Sequence, residues 1–390
     1  MRICFPLLLI MLMPFAGPLK ADSAKVLIIN SHERALVVTD PVKGYNSYPA
    51  WTIFPSTSVS YRHALLRITY ECPESLRCGE WDYIDKVMIM RRGGKNKDTL
   101  NFEIARMISP YGSRFTGDWK FSWTTDITDF APLLHDSVEI EFIHTGYESN
   151  KDRGWLITIA FELTEGPPAM ELLGINELWK GNFPYGDSAK NIESFLTPRK
   201  FKTPAGTVIS RLRVLQTGHG MDDLENCAEF CAKSRFIYLD GKLISTRKIW
   251  KECGDNPLFP QAGTWIFDRA NWCPGDIVAP DILDISVSSR RSYIVDISME
   301  PYINRSKPTA NYEFSTYIFH FSKPRAKNDA GLLEVGSPTD GTRSTRNDPS
   351  CSGPAVIIKN NGSNLLKSLE INYGTISSRL NNKWTGTLGS

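Results

Sequence analysis

Short apolar runs separated by turn residues dominate most of the chain. Val, Ile, Tyr and Phe fill the runs, and Gly, Pro, Asn and Asp mark the breaks between them. The runs of the first half are KVLIIN, ALVVTD, HALLRITYEC, YIDKVMIMRR, VEIEFIHTGY and WLITIAFELTEG. Short runs of this composition at regular spacing predict the strands of a β-sandwich or jelly roll. Because no stretch sustains a 3.6-residue apolar period, few helices are expected.

The length of 390 residues exceeds one ordinary core and predicts two or three domains. The sequence GPPAM at 166–170 marks a joint between an N-terminal β domain at 22–168 and a second β domain at 169–323. Residues 324–352 are rich in Ser, Thr, Asp, Gly, Arg and Pro and are predicted to be a linker. Residues 353–390 are predicted to form a partial β module, which either begins a third unit or pairs with the edge of the second domain.

The first 21 residues have the pattern of a signal peptide. Arg2 supplies the positive charge, and a short apolar run from Ile3 to Phe15 is followed by small residues. This run is too short to span a bilayer. We therefore expect removal of residues 1–21 and export of a protein without a membrane span, to the periplasm, the cell surface or the medium.

The charge of the chain argues against two classes of partner. The formal net charge is +2, and the leader carries two of the basic residues, Arg2 and Lys20, so the mature chain is balanced. Neither nucleic acid nor an anionic membrane is therefore an expected partner.

Six cysteines of the mature chain form three close pairs, and in an exported protein such pairs favour disulfides. Pairing by proximity gives Cys72–Cys78, Cys227–Cys231 and Cys253–Cys273. A zinc site at Cys227 and Cys231 is the competing interpretation, but no matching second Cys or His pair accompanies them. Cys351 is left over and lies in a polar stretch.

The stretch at 217–275 has the loop-rich, cross-linked and aromatic composition of a binding or catalytic surface. Glu229 lies between Cys227 and Cys231, and a disulfide there would hold its side chain in one direction, as suits a catalytic carboxylate. The alternative is a surface glutamate on a stapled turn.

Asp82 is the second candidate carboxylate. It lies between Trp81 and Tyr83 in CGEWDYIDKV. Aromatic walls of this kind stack on sugar faces and alter the pKa of a carboxyl group. The alternative is a solvated aspartate at a strand edge.

Three further side chains of the 217–275 stretch are candidates. His219 in GHG is either a general base or a turn histidine without a role. Arg269 either grips a carboxamide or sugar hydroxyls or pairs with Asp268. Trp272 either stacks on sugar or fills the space beside a disulfide. Taken alone, these residues indicate a polar, aromatic-walled site with two carboxylates.

NCAEFC, CGDNP and GTWIFDRANWCPG closely resemble the second domain of the peptide-N-glycosidase F family. GHG, FPYG at 183–186, WD at 81–82, ISPYG at 108–112 and TDITDFAPLL at 125–134 resemble further landmarks of that family in the same order. The resemblance covers roughly residues 60–320. It implies an all-β fold of two adjacent eight-stranded antiparallel jelly rolls, with the site at their interface.

The resemblance also implies a reaction. The family consists of bacterial amidases that hydrolyse the amide between Asn and the first N-acetylglucosamine of N-linked glycoproteins and glycopeptides, without a metal or other cofactor. Carried over by motif, Asp82 is the principal catalytic carboxylate and Glu229 its partner, acting through a water. Arg269 resembles the arginine that contacts the substrate, and Gly218 and His219 line the same wall. A monomer is expected.

The sugar-facing side departs from the family pattern. Tyr83 stands where the family has an arginine, and Thr145 where it has a glutamate. Tyr147 and Thr217 stand where it has tryptophans. The expected substrate-binding residues are Trp81, Tyr83, Tyr147, Gly218, His219, Arg269 and Trp272.

Three functions therefore follow from the sequence. The first is glycan release by the amidase reaction. The second is glycan or glycoprotein binding without catalysis, in a site that has drifted. The third is amidase action on a different glycan core or on a non-glycan amide.

Overall fold

The computed structural model describes residues 25–91, 100–148, 150–304, 310–337, 355–374 and 379–389. The predicted signal peptide at 1–21 and Cys351 lie outside the described residues. Strands dominate the described chain, and its helical segments are 3-10 turns at Thr128–Leu133, Ile192–Ser194 and Cys253–Asp255. The all-β prediction is therefore confirmed.

The first sandwich consists of two antiparallel sheets. Its strands are β1 Val26–Val37, β2 Tyr45–Ile53, β3 Tyr61–Glu71, β4 Arg77–Cys78, β5 Ile84–Arg91, β6 Leu100–Ile108, β7 Lys120–Asp126, β8 Ser137–Thr145 and β9 Arg153–Glu165. One sheet has the order β1-β9-β3-β7, and the other contains β6-β5-β8-β2. The two-residue β4 adds a parallel pairing with β9, so eight main strands build the unit. In β8, Val138, Ile140 and Phe142 point alternately into the core, as the two-residue period of a strand requires.

The second sandwich repeats this plan. Its strands are β10 Leu172–Pro184, β11 Arg199–Lys202, β12 Ile209–His219, β13 Lys233–Leu239, β14 Lys242–Ile249, β16 Asp281–Ser286, β17 Ser292–Met299 and β18 Asn311–Phe321. The two-residue β15 Asp276–Ile277, between β14 and β16 in the chain, joins a sheet of the first sandwich. The sheets have the orders β10-β18-β12-β16 and β11-β17-β13-β14, again eight strands. The domain limits at 22–168 and 169–323 stay a prediction, although β9 and β10 flank the first joint.

Strand β18 joins the two cores. Its alternate side chains Phe314 and Ile318 pack in the core of the second sandwich. Tyr317 and Phe319, on the opposite face of the strand, pack in the core of the first sandwich. The ring of Phe319 lies 5.0 Å from that of Phe130, edge to face. The interface between the sandwiches is therefore a continuation of the first hydrophobic core.

Polar contacts fix the register of the two sandwiches. Strand β15 pairs with β6, so a piece of the second half extends a sheet of the first. Arg106 of β6 donates to Thr217 Oγ1 of β12 at 2.7 Å, and Lys86 of β5 pairs with Glu313 of β18. These contacts hold β5, β6, β12 and β18 together directly beneath the loops that carry the candidate residues.

The C-terminal segment forms two antiparallel hairpins. They pair β19 Ala330–Ser337 with β20 Ala355–Asn360, and β21 Leu366–Gly374 with β22 Arg379–Leu388. Part of the predicted 324–352 linker is thus a strand, because Leu332, Leu333 and Val335 form a short apolar run within a polar stretch. The partial module pairs with this strand rather than with the edge of the second sandwich. Arg62 of the first sandwich bonds Asp329 at 2.6 Å next to this hairpin.

The three expected disulfides, Cys72–Cys78, Cys227–Cys231 and Cys253–Cys273, are present in the structure. Among the described residues, no helix has the length and hydropathy needed to cross a membrane.

Candidate active site

Asp82 lies in the loop between β4 and β5, just after the Cys72–Cys78 disulfide. The loop is anchored because the N–H of Gly79 donates to the carbonyl of Gly154, and Gly112 donates to Gly79. The Asp82 side chain is 21% exposed, and its Oδ2 accepts a 2.8 Å hydrogen bond from the Tyr111 hydroxyl. The first sandwich thus presents one oriented carboxylate at its end.

Glu229 lies in the loop after β12, inside the Cys227–Cys231 disulfide ring. Its backbone N–H donates to the carbonyl of Gly220 at 3.0 Å, and its carbonyl accepts from the N–H of Ala270 at 2.8 Å. The side chain is 17% exposed. The disulfide and both hydrogen bonds hold this second carboxylate in place.

The Arg269 guanidinium links the two carboxylates. Its Nε lies 3.3 Å from Glu229 Oε1, and its Nη2 lies 3.9 Å from Asp82 Oδ2. The side chain is fully buried. Its guanidinium carbon lies 4.9 Å from the ring centre of Phe230 and 4.9 Å from that of Trp272. Further bonds to the carbonyls of Phe267 and Thr264 fix its orientation.

Electrostatics favour one proton on this carboxylate pair. Burial and the charge of Asp82 raise the pKa of Glu229, Arg269 opposes both effects, and the resulting pKa is about 7. One guanidinium cannot neutralise two carboxylates, and two like charges in one partly dry site repel each other. A carboxyl group with a pKa near neutrality can donate or accept a proton at physiological pH.

Three of the expected substrate-binding residues, Arg269, Trp272 and Gly218, are buried, and their contact with a substrate stays a prediction. Arg269 is fully buried and reaches the carboxylates, so it positions them and does not itself face the solvent. Trp272 is 1% exposed, stacks on Arg269 and donates from its indole N–H to the carbonyl of Gly218. Gly218 is also buried, and a Cβ there would lie 2.7 Å from both Ala270 and Tyr312. Close packing is therefore sufficient to require a glycine at this position.

His219 belongs to the interface between the sandwiches. Its Nε2 lies within hydrogen-bond distance, 2.7 Å, of Thr217 Oγ1, which also accepts from Arg106. The imidazole stacks on Trp272 at 5.2 Å. Burial, together with the charges of Arg106 and Lys86, lowers the pKa of His219 to about 3. A general base with this pKa would be weak at neutral pH, so the general-base interpretation is not supported.

Aromatic side chains line the open side of the site. Trp81 is 50% exposed and Tyr147 is 74% exposed, so both rings are accessible to a ligand. Tyr83 is half-buried, and its ring meets that of His144 edge to face at 5.8 Å. Stacking of these rings on a sugar beside Asp82 stays a prediction.

The positions that depart from the family pattern are occupied differently. The Thr145 hydroxyl accepts from the N–H of Ile84 at 3.0 Å and donates to its carbonyl at 2.9 Å, so it ties β8 to β5. Glu148, three residues later, accepts a backbone hydrogen bond from Glu80, and burial raises the pKa of its carboxyl group. Its carboxylate is therefore engaged with the loop before Asp82.

Sequence reasoning missed the residues that orient the carboxylates. Tyr111 holds Asp82, Thr264 bonds Arg269, and Phe230 covers it. Tyr111 belongs to the ISPYG motif and Phe230 to NCAEFC. Both residues therefore lie in motifs that the sequence marked, but their contacts with Asp82 and Arg269 depend on the folded structure. In the part of the chain that the structure describes, no group of three His, Cys, Asp or Glu side chains is placed to hold a metal ion.

The fold and the site define a class of protein: two jelly rolls that place one carboxylate each on a shared buried arginine. Residues 185–322 match the family model described as peptide-N-glycosidase F, C terminal. A curated relative, the peptide-N(4)-(N-acetyl-beta-D-glucosaminyl)asparagine amidase F of Elizabethkingia miricola, is 27% identical over 284 residues, which cover 68% of this chain and 75% of the relative. The resemblance to the peptide-N-glycosidase F family is therefore confirmed.

Solved structures share the fold. Peptide-N-glycosidase F of Flavobacterium meningosepticum superposes with a TM-score of 0.63 at 21% identity, over 76% of this chain and 96% of that one. The protein PNGF-II superposes with a TM-score of 0.58 at 14% identity, over 78% of this chain and 66% of that one. At these identities the likeness supports the architecture alone, and the two-domain jelly-roll prediction is confirmed.

Proposed function

We propose that this chain is an exported amidase that hydrolyses the Asn–N-acetylglucosamine amide of N-linked glycoproteins and glycopeptides. One observation carries the proposal. Asp82 and Glu229 come from different sandwiches and meet at Arg269, and burial raises the pKa of Glu229 to about 7. The family relationship supports the amidase class, and the motif match supports these two residues.

The proposed reaction uses one water per amide bond. Asp82 takes a proton from a water held between the carboxylates as its oxygen attacks the side-chain carbonyl carbon. Glu229 gives its proton to the leaving nitrogen, and the C–N bond breaks. The peptide keeps an aspartate, and the glycan leaves as a glycosylamine, which a second water converts to free glycan and ammonia. Tyr111 and Arg269 hold the two carboxylates in the required orientation.

Export is part of this proposal. The leader pattern at 1–21 and the three disulfides both fit an oxidising compartment outside the cytosol. N-linked glycoproteins would be encountered there, and we propose that a monomer acts on them.

Mass spectrometry of an Asn-linked glycopeptide tests the reaction. The wild-type protein should yield free glycan and an Asp-containing peptide. Asp82→Asn and Glu229→Gln should each lower the rate by a factor of about 100 or more, because general acid–base groups contribute about this much. Glu252→Gln, a change at an exposed glutamate, serves as the control and should keep the wild-type rate.

A specific observation favours one alternative, a glycan-binding protein without activity. The Thr145 hydroxyl is bonded to the β5 backbone, so the position of the family's third carboxylate provides no acid. If the folded, disulfide-bonded protein binds N-glycans and releases none from several glycan types, this alternative replaces the amidase.

A further inference from the structure

We propose that a cavity at the end of strand β10 is a second sugar subsite, which binds an outer residue of the N-glycan beyond its chitobiose core. The inference rests on the proposed function, since the same glycan would span both sites. The cavity has a volume of about 370 Å³. It lies in the second sandwich, among the end of β10, the segment after it and the start of β18.

Strand register connects this cavity to the carboxylate pair. Pro184 of β10 pairs with Asn311 of β18, and Asn311 pairs with His219 of β12. Adjacent strands lie about 4.8 Å apart, so the cavity is about 10 Å from the β12 backbone. The next residue after His219, Gly220, accepts the backbone hydrogen bond of Glu229. An oligosaccharide of a few residues covers this distance.

The three paired residues also share one face of the sheet. Side chains directly opposite each other in an antiparallel pair point to the same side. Two residues further along, the same face carries Thr217 and Glu313, which contact Arg106 and Lys86 of the first sandwich. The lining residues Asn182, Pro184 and Asn311 therefore lie on the face that meets the first sandwich. Phe195 reaches the cavity around the edge strand β10, where it stacks on Phe183 of the opposite face.

The lining has the chemistry of a site for a neutral sugar. Phe195 is 37% exposed, and its ring stacks on Phe183 at 5.6 Å with an interplanar angle of 19°, so it forms a fixed platform. The exposed Asn182 offers an amide donor and acceptor that match hydroxyl groups. An exposed ring beside convergent polar groups is typical of a small-ligand site.

The charges at the cavity disfavour an ionic ligand. Asp187 and Lys190 both line it and carry opposite charges, so neither an anion nor a cation meets a net attraction. One Asp187 oxygen accepts the backbone N–H of Ala189 at 2.8 Å, which fixes the loop that forms the cavity wall. A neutral hexose fits this balance better than a phosphorylated or sulfated group.

Calorimetric titration of the Asp82→Asn protein tests the subsite without catalysis. The probes are a free high-mannose oligosaccharide and free chitobiose. Phe195→Ala should weaken the high-mannose affinity roughly fivefold, the worth of one lost ring contact, and leave chitobiose affinity unchanged. Phe195→Tyr should retain the affinity. Trp51→Ala, at a ring on β2 that is 64% exposed, is the matched control and should change neither affinity.

Hydrolysis gives a second measurement. For a high-mannose glycopeptide, Phe195→Ala and Asn182→Ala should raise KM with kcat kept, and neither should alter the kinetics of a peptide that bears chitobiose alone. Equal loss for both substrates, or no loss for either, would refute the subsite. A loss that follows the length of the peptide instead of the size of the glycan would assign the cavity to the polypeptide and also refute it.

The outcome separates the two proposals. If no glycopeptide is hydrolysed but Phe195→Ala weakens high-mannose binding, the amidase fails and the subsite stands. If hydrolysis proceeds and both Phe195→Ala and Asn182→Ala bind and react like the wild type, the subsite fails and the amidase stands.

Discussion

The chemistry of Glu229 differs strongly between its environment here and free solution. Burial and the charge of Asp82 raise its pKa to about 7, from an ordinary value of 4.5. The positive charge of Arg269 does not fully offset these effects, because one guanidinium lies between two carboxylates. The protonated form is therefore available at neutral pH, as the role of proton donor to the leaving nitrogen requires.

The pH dependence of the rate tests this role. If Glu229 acts as the acid, kcat should fall as the pH rises through about 7, approaching a tenfold loss per pH unit. Glu229→Gln should be slow at every pH and should lack this limb. A wild-type rate that rises through pH 7 would instead assign Glu229 as the base.

The same proton affects stability. Because the folded-state pKa is raised above the unfolded value, the folded protein holds the proton more tightly. This stabilising contribution is complete below about pH 4.5 and is lost as the pH rises to about 7. The loss is about 3 kcal/mol. Glutamine does not titrate, so the Glu229→Gln protein should not show this loss. In urea denaturation, its free energy of unfolding relative to that of the wild type should therefore increase by about this amount between pH 4 and pH 8. A constant difference between the two proteins would contradict the raised pKa.

The sequence predicted the site residues unevenly. Asp82 and Glu229 could be proposed as candidates because motif and cysteine spacing mark them directly, and the structure places both beside Arg269. The burial of Arg269, Trp272 and Gly218 could not, because it depends on packing against Phe230, Tyr312 and the first sandwich. Local sequence shows that a ring is near a charge, but not whether either faces solvent.

At the scale of elements, the Cys227–Cys231 loop controls the direction of Glu229. The bridge joins residues four apart, so its loss should cost only about 2 kcal/mol of stability. The doubly substituted Cys227→Ser/Cys231→Ser protein should still fold. Its kcat should fall about tenfold or more, because the carboxylate loses its fixed orientation.

The pH profile distinguishes this effect from general destabilisation. In the Cys227→Ser/Cys231→Ser protein the limb near pH 7 should move to lower pH, since Glu229 becomes more solvated. Ile297→Ala, which destabilises the second sandwich through its core and leaves all three disulfides intact, is the control and should keep the limb in place. Identical limbs in both variants would show that the disulfide does not set the environment of Glu229.

Strand prediction from the sequence succeeded where one face of a strand is buried. In β17, Tyr293, Val295 and Ile297 are buried and alternate with more exposed residues, so the pattern identifies the strand. It was incomplete at β19, where a short apolar run lies within the polar composition of 324–352. It also gave no sign of β15, a two-residue strand that depends on its partner β6.

At the scale of the whole molecule, side chains of β18 pack in both cores, and we expect the two sandwiches to unfold together. Phe319 lies on a strand of the second sandwich and is buried in the core of the first. Phe319→Ala should destabilise the protein by about 3–5 kcal/mol. Amide hydrogen exchange should rise in both β3 and β17, because losing a side chain that joins the two cores should destabilise both sandwiches.

Ile294→Ala, on the exposed face of β17, is the control and should leave exchange nearly unchanged. Faster exchange confined to one sandwich in the Phe319→Ala protein would show that the two units unfold independently.

The central claim is that water cleaves the amide bond between asparagine and the glycan. The most direct measurement is hydrolysis of an Asn-linked glycopeptide in heavy-oxygen water, followed by mass spectrometry of the peptide. The account predicts an aspartate at the former asparagine with one heavy oxygen in its side chain, and no such product with Asp82→Asn. A product peptide that keeps one sugar on an intact asparagine, or a glycopeptide that keeps its whole glycan, would contradict it.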